Sequence, residues 1–429
     1  MAWRWVALVL AAWWVGGGVA MAAPKAAKKE VPAACKQQAD KDSKKDSKKN
    51  ASRDSGDDAE DENDDDDEGV RFDLAGSCAK LTGGVSFTYQ KAQKTASGLP
   101  VFVNKNGTVS AGSSSHSVSA SIGLETTRQT KLGEFKTTLS ADWSKASDDG
   151  TASGAANISG WSVGLGGLTV GYTGSLMSFW DGDFLSTASS PGRSANTIVY
   201  EYEIDDSNKI AAGLESNLPT TPQSNTGLKS FEFSDPVYTL RWRYESDDLT
   251  VHMSGLARRG DFSASPLRPQ FADTAAVRTG WAASAGFKLP TKFIAEDDEF
   301  TFQATYAVDA SAYLGLTTDL TVYQHTVRSV SPTVGWSAVG SFHHVWSEQF
   351  ESNLFASFVN FKADLLLAKP EVQTLRSGIN LFWKPLDRLK FGAEIGIVDG
   401  KFAPNGVLGI FNGASVRAYI GILSMSAEL

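Results

Sequence analysis

From Leu81 to Leu429 the chain divides into about sixteen short segments of alternating character, joined by connections that are in turn short and long. Successive side chains of a β-strand point to opposite faces, so alternation of this kind gives each segment two unlike faces. In Tyr238-Thr239-Leu240-Arg241-Trp242-Arg243-Tyr244-Glu245 the residues Tyr238, Leu240, Trp242 and Tyr244 share one face, and Thr239, Arg241, Arg243 and Glu245 share the other. In a water-soluble sheet the apolar face covers a core, whereas in a membrane barrel it meets lipid and the charged face lines an aqueous lumen. One segment fits either arrangement; the rhythm of the whole set predicts the barrel.

The start of the chain supports this. Arg4 precedes an apolar stretch from Trp5 to about Val15, and Ala20-Met21-Ala22 has the small-x-small pattern of a signal-peptidase site, so cleavage after Ala22 and export are expected. A retained N-terminal anchor is the alternative. Beyond residue 22 no run of about eighteen apolar residues occurs, which leaves no transmembrane helix. An integral membrane protein without such helices must be a closed barrel, the other structure that satisfies every backbone polar group in lipid. The formal charge of -9 argues against general nucleic-acid binding, and no nucleic-acid partner is expected. Cys35 and Cys78 are an even count in an exported chain, so a disulfide between them is expected, with two free thiols as the alternative.

Three regions follow: a signal peptide at 1–22, a charged low-complexity segment at 23–69, and an outer-membrane β-barrel at 70–429. The middle region is first lysine-rich (Lys41, Lys44, Lys45, Lys48, Lys49) and then acidic (Asp57, Asp58, Glu60, Asp61, Glu62, and 64–68). With almost no apolar surface to bury, it is expected to be disordered on the periplasmic side. Its aspartates lack the glycine and terminal glutamate of an EF-hand loop, and no metal or cofactor is expected.

Strands are expected near 81–90, 117–127, 134–143, 159–165, 168–174, 197–204, 209–217, 236–244, 249–258, 278–289, 299–309, 333–346, 350–361, 375–384, 389–398 and 415–429. Short connections such as Asp205-Asp206-Ser207-Asn208, Ser246-Asp247-Asp248 and Lys384-Pro385-Leu386-Asp387-Arg388 carry turn residues, while 260–277 and 310–332 are longer and rich in Gly, Ser, Ala and Pro. Turns at a periplasmic rim, loops at the outer rim and an even strand number characterise outer-membrane barrels. Trp143, Tyr244, Trp281, Trp346 and Trp383, near strand ends, suit two interfacial girdles.

Several segments, taken in order, resemble the alphaproteobacterial porin family of trimeric general-diffusion channels. Cys78-Ala79-Lys80-Leu81-Thr82-Gly83-Gly84-Val85 is similar to the family's cysteine-led first strand, and Gly167-Leu168-Thr169-Val170-Gly171 through Ser175 to Phe179-Trp180 is similar to the strand leading into its constriction loop. Gly280-Trp281-Ala282, Phe302 to Ala307, Gly335-Trp336-Ser337 with His344 and Trp346, and Asn380 to Pro385 follow in the family's order. The resemblance covers residues 78 to about 398. It departs from the family in two places: the charged tract separates the cysteines, and Tyr172 stands where the family often has arginine.

The resemblance implies a homotrimer in which the connection from about Ser175 to Asn196 folds into the lumen, placing Asp181, Asp183 and Arg193 near the narrowest point. Lys136, Arg241, Arg243 and Arg376 would then face them from the wall, with Glu201 and Glu203 adding cation preference. Acid on a loop facing base on a wall makes a transverse field that favours hydrated ions and orients polar solutes. No catalytic residues are expected: His343 and His344 point to opposite faces of a strand, and no phosphate loop or histidine-metal motif occurs. The reading is a non-enzymatic, water-filled channel in the bacterial outer membrane, passing small hydrophilic solutes and ions and filtering them by size and constriction charge. The alternatives are a substrate-selective or partly plugged channel, and a structural barrel that tethers the envelope through contact of its charged tract with cell wall or a periplasmic partner.

Overall fold

The computed structural model describes residues 70–74, 77–94, 101–104, 107–109, 114–148, 151–186, 188–216, 236–260, 278–315, 332–362, 369–405 and 414–428. The expected leader, the charged tract and Cys35 lie outside the described residues, and Cys78 is a buried residue near the start of its strand.

In chain order the strands are β1 (Val70–Leu74), β2 (Ser77–Lys94), β3 (Val101–Asn104), β4 (Gly107–Val109), β5 (Ser114–Thr130), β6 (Gly133–Asp148), β7 (Thr151–Leu165), β8 (Leu168–Gly174), β9 (Ser194–Glu203) and β10 (Asn208–Glu215). There follow β11 (Val237–Glu245), β12 (Thr250–Gly260), β13 (Arg278–Pro290), β14 (Glu299–Val308), β15 (Val334–Ser347), β16 (Phe350–Lys362), β17 (Lys369–Leu386), β18 (Leu389–Asn405) and β19 (Ala414–Glu428). Strands β2 and β5 to β19 pair antiparallel with their neighbours in the chain, and β19 returns to β2, from Ala418 opposite Lys94 to Glu428 opposite Gly84. The result is a closed barrel of sixteen strands with no open edge for lipid to meet. Every one of the sixteen expected segments is a barrel strand.

Two features were not expected. β1 lies on the edge of β2 that β19 leaves uncovered, pairing Val70–Leu74 with Ser77–Leu81 below the last β19 contact at Gly84. The small hairpin β3–β4 occupies the connection after β2. Several strands also run past their expected ends, β17 for example from Lys369 rather than 375. A spanning strand needs only about 9–11 residues, so the excess length stands in water, where both faces are polar and alternation stops marking the strand.

The connections alternate as expected. Those between β5 and β6, β7 and β8, β15 and β16, and β17 and β18 are two residues long. Gly166 (φ +55°) and Gly167 (φ +92°) form one of them, and a Cβ on either would lie 2.5 Å from a backbone oxygen of Leu132 or Glu201. In the turn between β9 and β10, Asp205 accepts hydrogen bonds from the N–H groups of Ser207 (2.9 Å) and Asn208 (2.8 Å) and from the Asn208 amide. The Asn208 amide first, then the Ser207 N–H, hold its carboxyl below the usual carboxylate range.

The faces sort as the alternation requires. Tyr238 and Leu240 are 59% and 57% exposed on the outside, whereas Thr239 between them is buried inside. Tyr200, Tyr202, Ile395 and Leu423 face outward in the same way. At the short-turn rim Trp383 stacks with Phe350 and Phe391, and toward the other rim Trp281 and Trp336 pack on Tyr306 and Phe358, so these aromatics form two belts. Ile395→Arg is therefore expected to lower unfolding stability in lipid vesicles by about 2–4 kcal/mol if it lies near the bilayer midplane, while the lumen-facing Ser86→Lys costs about 1 kcal/mol or less. Equal losses in urea titrations of the two variants would contradict the facing.

Candidate functional site: a loop folded into the lumen

The segment from Ser175 to Arg193, between β8 and β9, runs inside the barrel. Its neck closes where the Ser175 N–H donates to Arg193 O at 2.8 Å. Away from any strand ladder, its peptide groups need partners, because a buried unpaired N–H costs on the order of 1–3 kcal/mol. Side chains of the wall supply them strand by strand. Glu215 on β10, wholly buried, accepts from Ser175 Oγ (2.8 Å) and the Leu176 N–H (3.0 Å). Gln303 on β14 accepts from the Trp180 N–H (2.9 Å) and donates to Met177 O (2.8 Å). Ser357 on β16 accepts from the Ser189 N–H, and Asn380 on β17 donates to Asp183 O at 2.7 Å. At the far side Glu394 on β18 takes the N–H groups of both Leu185 (2.8 Å) and Ser186 (2.9 Å).

Apolar contacts fill the space between. Phe179 stacks on His252, and a Cβ at Gly286 would lie 2.6 Å from its ring, so glycine leaves the room that Phe179 takes. Phe184 meets Phe355 edge-on at 4.4 Å and stacks on Trp180. Leu185 packs against Ile420 and Ile422, and Met177 joins a cluster with Val237, Leu256 and Tyr313. Tyr313 belongs to a short 3-10 turn, Ser311–Leu314, that also folds inward. Gly315 follows it at φ +76°, and a Cβ there would lie 2.4 Å from the Ser190 N, so the two inward segments touch backbone to backbone.

The tip, Trp180-Asp181-Gly182-Asp183-Phe184, turns with the Phe184 N–H on Gly182 O at 3.0 Å. Asp181 reaches Lys288 at 3.9 Å, and Lys288 also holds Glu299 at 2.9 Å. Asp183 pairs with Lys390, which stands 3.9 Å from Glu351 and over the Phe382 ring. A cavity of about 420 Å3 separates the tip from the wall, lined by Asp181, Asp183, Glu299, His343 and Asn353 among others.

Asp181 and Asp183 are at the tip of the inward loop, and the bases they meet are Lys288 and Lys390. Arg193 lies instead at the neck, donating to Ser216 O at 3.1 Å and stacked over Tyr313. Arg241 pairs with Glu201 across the small Ala211, Arg243 with Glu245 at 2.6 Å, Glu203 with Lys209 at 3.9 Å, and Lys136 with Glu125 at 2.7 Å. Arg376 lies in the β17 wall, opposite Ser357 and Val398. His343 faces the lumen, bonded to Asn353 Oδ1 at 2.8 Å, while His344 faces outward onto Asp298 at 2.7 Å. The residues that hold the loop, Glu215, Gln303, Asn380 and Glu394, were not anticipated. Their signal was the set of apolar residues on the lumen face, such as Phe355, Val359, Phe361, Ile420 and Ile422, which mark wall that a loop covers.

Among the described residues the loop's contacts reach β2 only at Ala92, where Leu185 packs, and leave the wall of β5 to β7 uncovered. Beside the Lys136–Glu125 pair, the lumen face here carries small hydroxyl residues that bond across the ladders, Ser86 to Ser119 (2.6 Å), Thr138 to Ser162 (2.7 Å) and, at its margin, Thr173 to Thr197 (2.7 Å).

A closed sixteen-stranded barrel with a lipid-facing apolar surface, a polar lumen and an inward loop defines a channel of the bacterial outer membrane. The chain matches the family described as Porin subfamily over residues 72–406 and belongs to it. Among solved structures, the outer membrane channel DcaP of Acinetobacter baumannii superposes with a TM-score of 0.61 at 14% identity, covering 84% of this chain and 100% of that one. OprB of Pseudomonas putida superposes with a TM-score of 0.50 at 9% identity, covering 82% and 94%. At such identities the likeness is one of fold. No curated protein sequence matches the chain. The protein is an integral outer-membrane porin and a passive channel.

Glu394→Ala removes the acceptor of two loop N–H groups, an interaction of about 1.5–3 kcal/mol per charged hydrogen bond. In planar bilayers it is expected to raise open-channel current noise and add brief partial closures, with barrel assembly preserved on heat-modifiability gels. Noise spectra that match the wild type would show that Glu394 does not hold the loop.

Proposed function

We propose that the channel passes small hydrophilic solutes and ions without a covalent step, with a preference for cations set where the Asp181–Asp183 tip faces the hydroxyl wall. The observation that carries this reading is the charge asymmetry. The tip and its surroundings bring together Asp181, Asp183, Glu299 and Glu351 near Lys288 and Lys390, while the wall opposite offers serine, threonine and the self-paired Lys136 and Glu125 rather than a row of arginines. A low-dielectric eyelet with that imbalance concentrates cations over anions.

Other parts of the reading rest on the sequence. Placement in the alphaproteobacterial branch is supported by the cysteine-led first strand from Cys78 and the ordered motifs as far as Asn380 to Pro385. Homotrimeric assembly follows from that resemblance. Cleavage after Ala22, a solvated tract at 23–69 and a disulfide between Cys35 and Cys78 complete the proposal, the last supported by the burial of Cys78 at the periplasmic end of β2.

Single channels recorded under a tenfold potassium chloride gradient test the charge preference. The expected reversal potential has the sign of potassium selectivity, and Asp181→Asn with Asp183→Asn moves it toward zero. A chloride-selective reversal potential, or one the double variant leaves in place, contradicts the proposed filter.

A further inference from the structure

The outer face of β14 to β17 has a groove. Four small residues floor it: Ala338 and Gly340 on β15, Ala356 on β16 and Ser377 on β17. The pairing places Phe302, Gly340, Ala356 and Ser377 in one row across the strands. The next row toward the short-turn rim is Phe300, Phe342 and Leu354, and on the other side stand Phe358 and Leu375. These large side chains wall an almost wholly apolar cavity of about 470 Å3.

Gly340 is the informative residue. Glycine in a strand interior weakens the strand and often marks a place where another molecule comes close. At the inward-facing Gly378 packing explains the glycine, since a Cβ would lie 2.6 Å from the Phe355 ring. At Gly340 the nearest atom would be Phe302 Cδ2 at 3.5 Å, an ordinary contact, so the barrel itself does not require glycine there. The space it leaves opens to the outside.

A polar group stands at one end of the same face. Following β15 toward the short-turn rim, the outward residues are Gly340, Phe342, His344 and Trp346. His344 Nδ1 lies 2.7 Å from the buried Asp298 carboxylate and 4.2 Å from Trp346 centroid to centroid, and Trp346 Nε1 donates to Ser352 Oγ at 2.9 Å. From Gly340 to His344 is about 13 Å along the strand, which at the roughly 40° tilt of barrel strands is about 10 Å of depth, within the roughly 15 Å of hydrocarbon in one leaflet. The polar group is therefore at headgroup depth when the groove is at acyl-chain depth.

We infer that this face binds a glycerophospholipid of the periplasmic leaflet, with an acyl chain in the groove over Gly340 and Ala356 and its polar end beside His344, Trp346 and Ser352. The occupant follows from continuity with the membrane in which the barrel is embedded, and from the placement of the polar group at the short-turn, periplasmic rim. A Cβ at Gly340 stays at ordinary contact distance from Phe302, so a larger side chain there enters the groove.

The full-length protein in mild detergent, given dioleoylphosphatidylethanolamine and examined by native mass spectrometry, tests this. The wild type is expected to retain a phospholipid that Gly340→Leu binds about tenfold more weakly, the order expected from losing a buried apolar contact. Ala393→Leu, on the outer face of β18, is expected to retain it, with both variants folded by heat-modifiable gel mobility. Equal retention by wild type and Gly340→Leu overturns the proposal, as does equal loss in Ala393→Leu. Preference for lipopolysaccharide over phospholipid also overturns it, and so does a fall in subunit number with lipid count unchanged, which would make the groove a contact between barrels.

Discussion

Nineteen residues of chain that leave the strand ladder must still satisfy their peptide groups, and the rest of the lumen depends on how they do so. In the segment from Ser175 to Arg193 the acceptors come from the wall: Glu215 at the neck, Gln303 in the middle and Glu394 at the far side. Two buried carboxylates at opposite ends of one loop fix its path across the barrel interior. Charge-assisted hydrogen bonds to backbone N–H groups are among the stronger protein hydrogen bonds, and the enclosed setting strengthens them further.

Once the loop is fixed, the lumen becomes lopsided. Strands from β10 to β19 lie under the loop or against it, and their inner faces include apolar residues that would be out of place beside water. Strands β5 to β7 keep a surface of serine and threonine with the Lys136–Glu125 pair among them. In the proposed reading solutes pass between the two, beside a tip whose aspartates are held by Lys288 and Lys390. The wall charges away from the tip form their own pairs, such as Arg241 with Glu201, and so contribute local structure more than a long-range field.

The barrel was legible in the sequence because lipid enforces it. A strand such as Val237–Glu245 must show apolar residues outward and polar residues inward, and period-two alternation reports this directly. The same reasoning found that Glu201 and Arg241 share the polar faces and that His343 and His344 point apart, while family resemblance put Asp181 and Asp183 on the inward loop. Partners across the lumen were not legible, because Asp183 and Lys390 are far apart in the chain and meet only after closure. Arg193 was misjudged for a related reason: a charged residue near a loop's end serves its neck, and Tyr313, the ring it stacks on, comes from another inward segment. The short β1 strand carries too few residues for alternation to register.

The central claim is that the loop held by Glu215 and Glu394 forms the narrowest part of the pore. Polymer exclusion tests it most directly: single-channel conductance is recorded in graded polyethylene glycols for the wild type and for a folded variant lacking Asp181 to Phe184. The account predicts a higher conductance and admission of larger polymers in the shortened variant. An unchanged conductance and size limit would place the constriction elsewhere and contradict it.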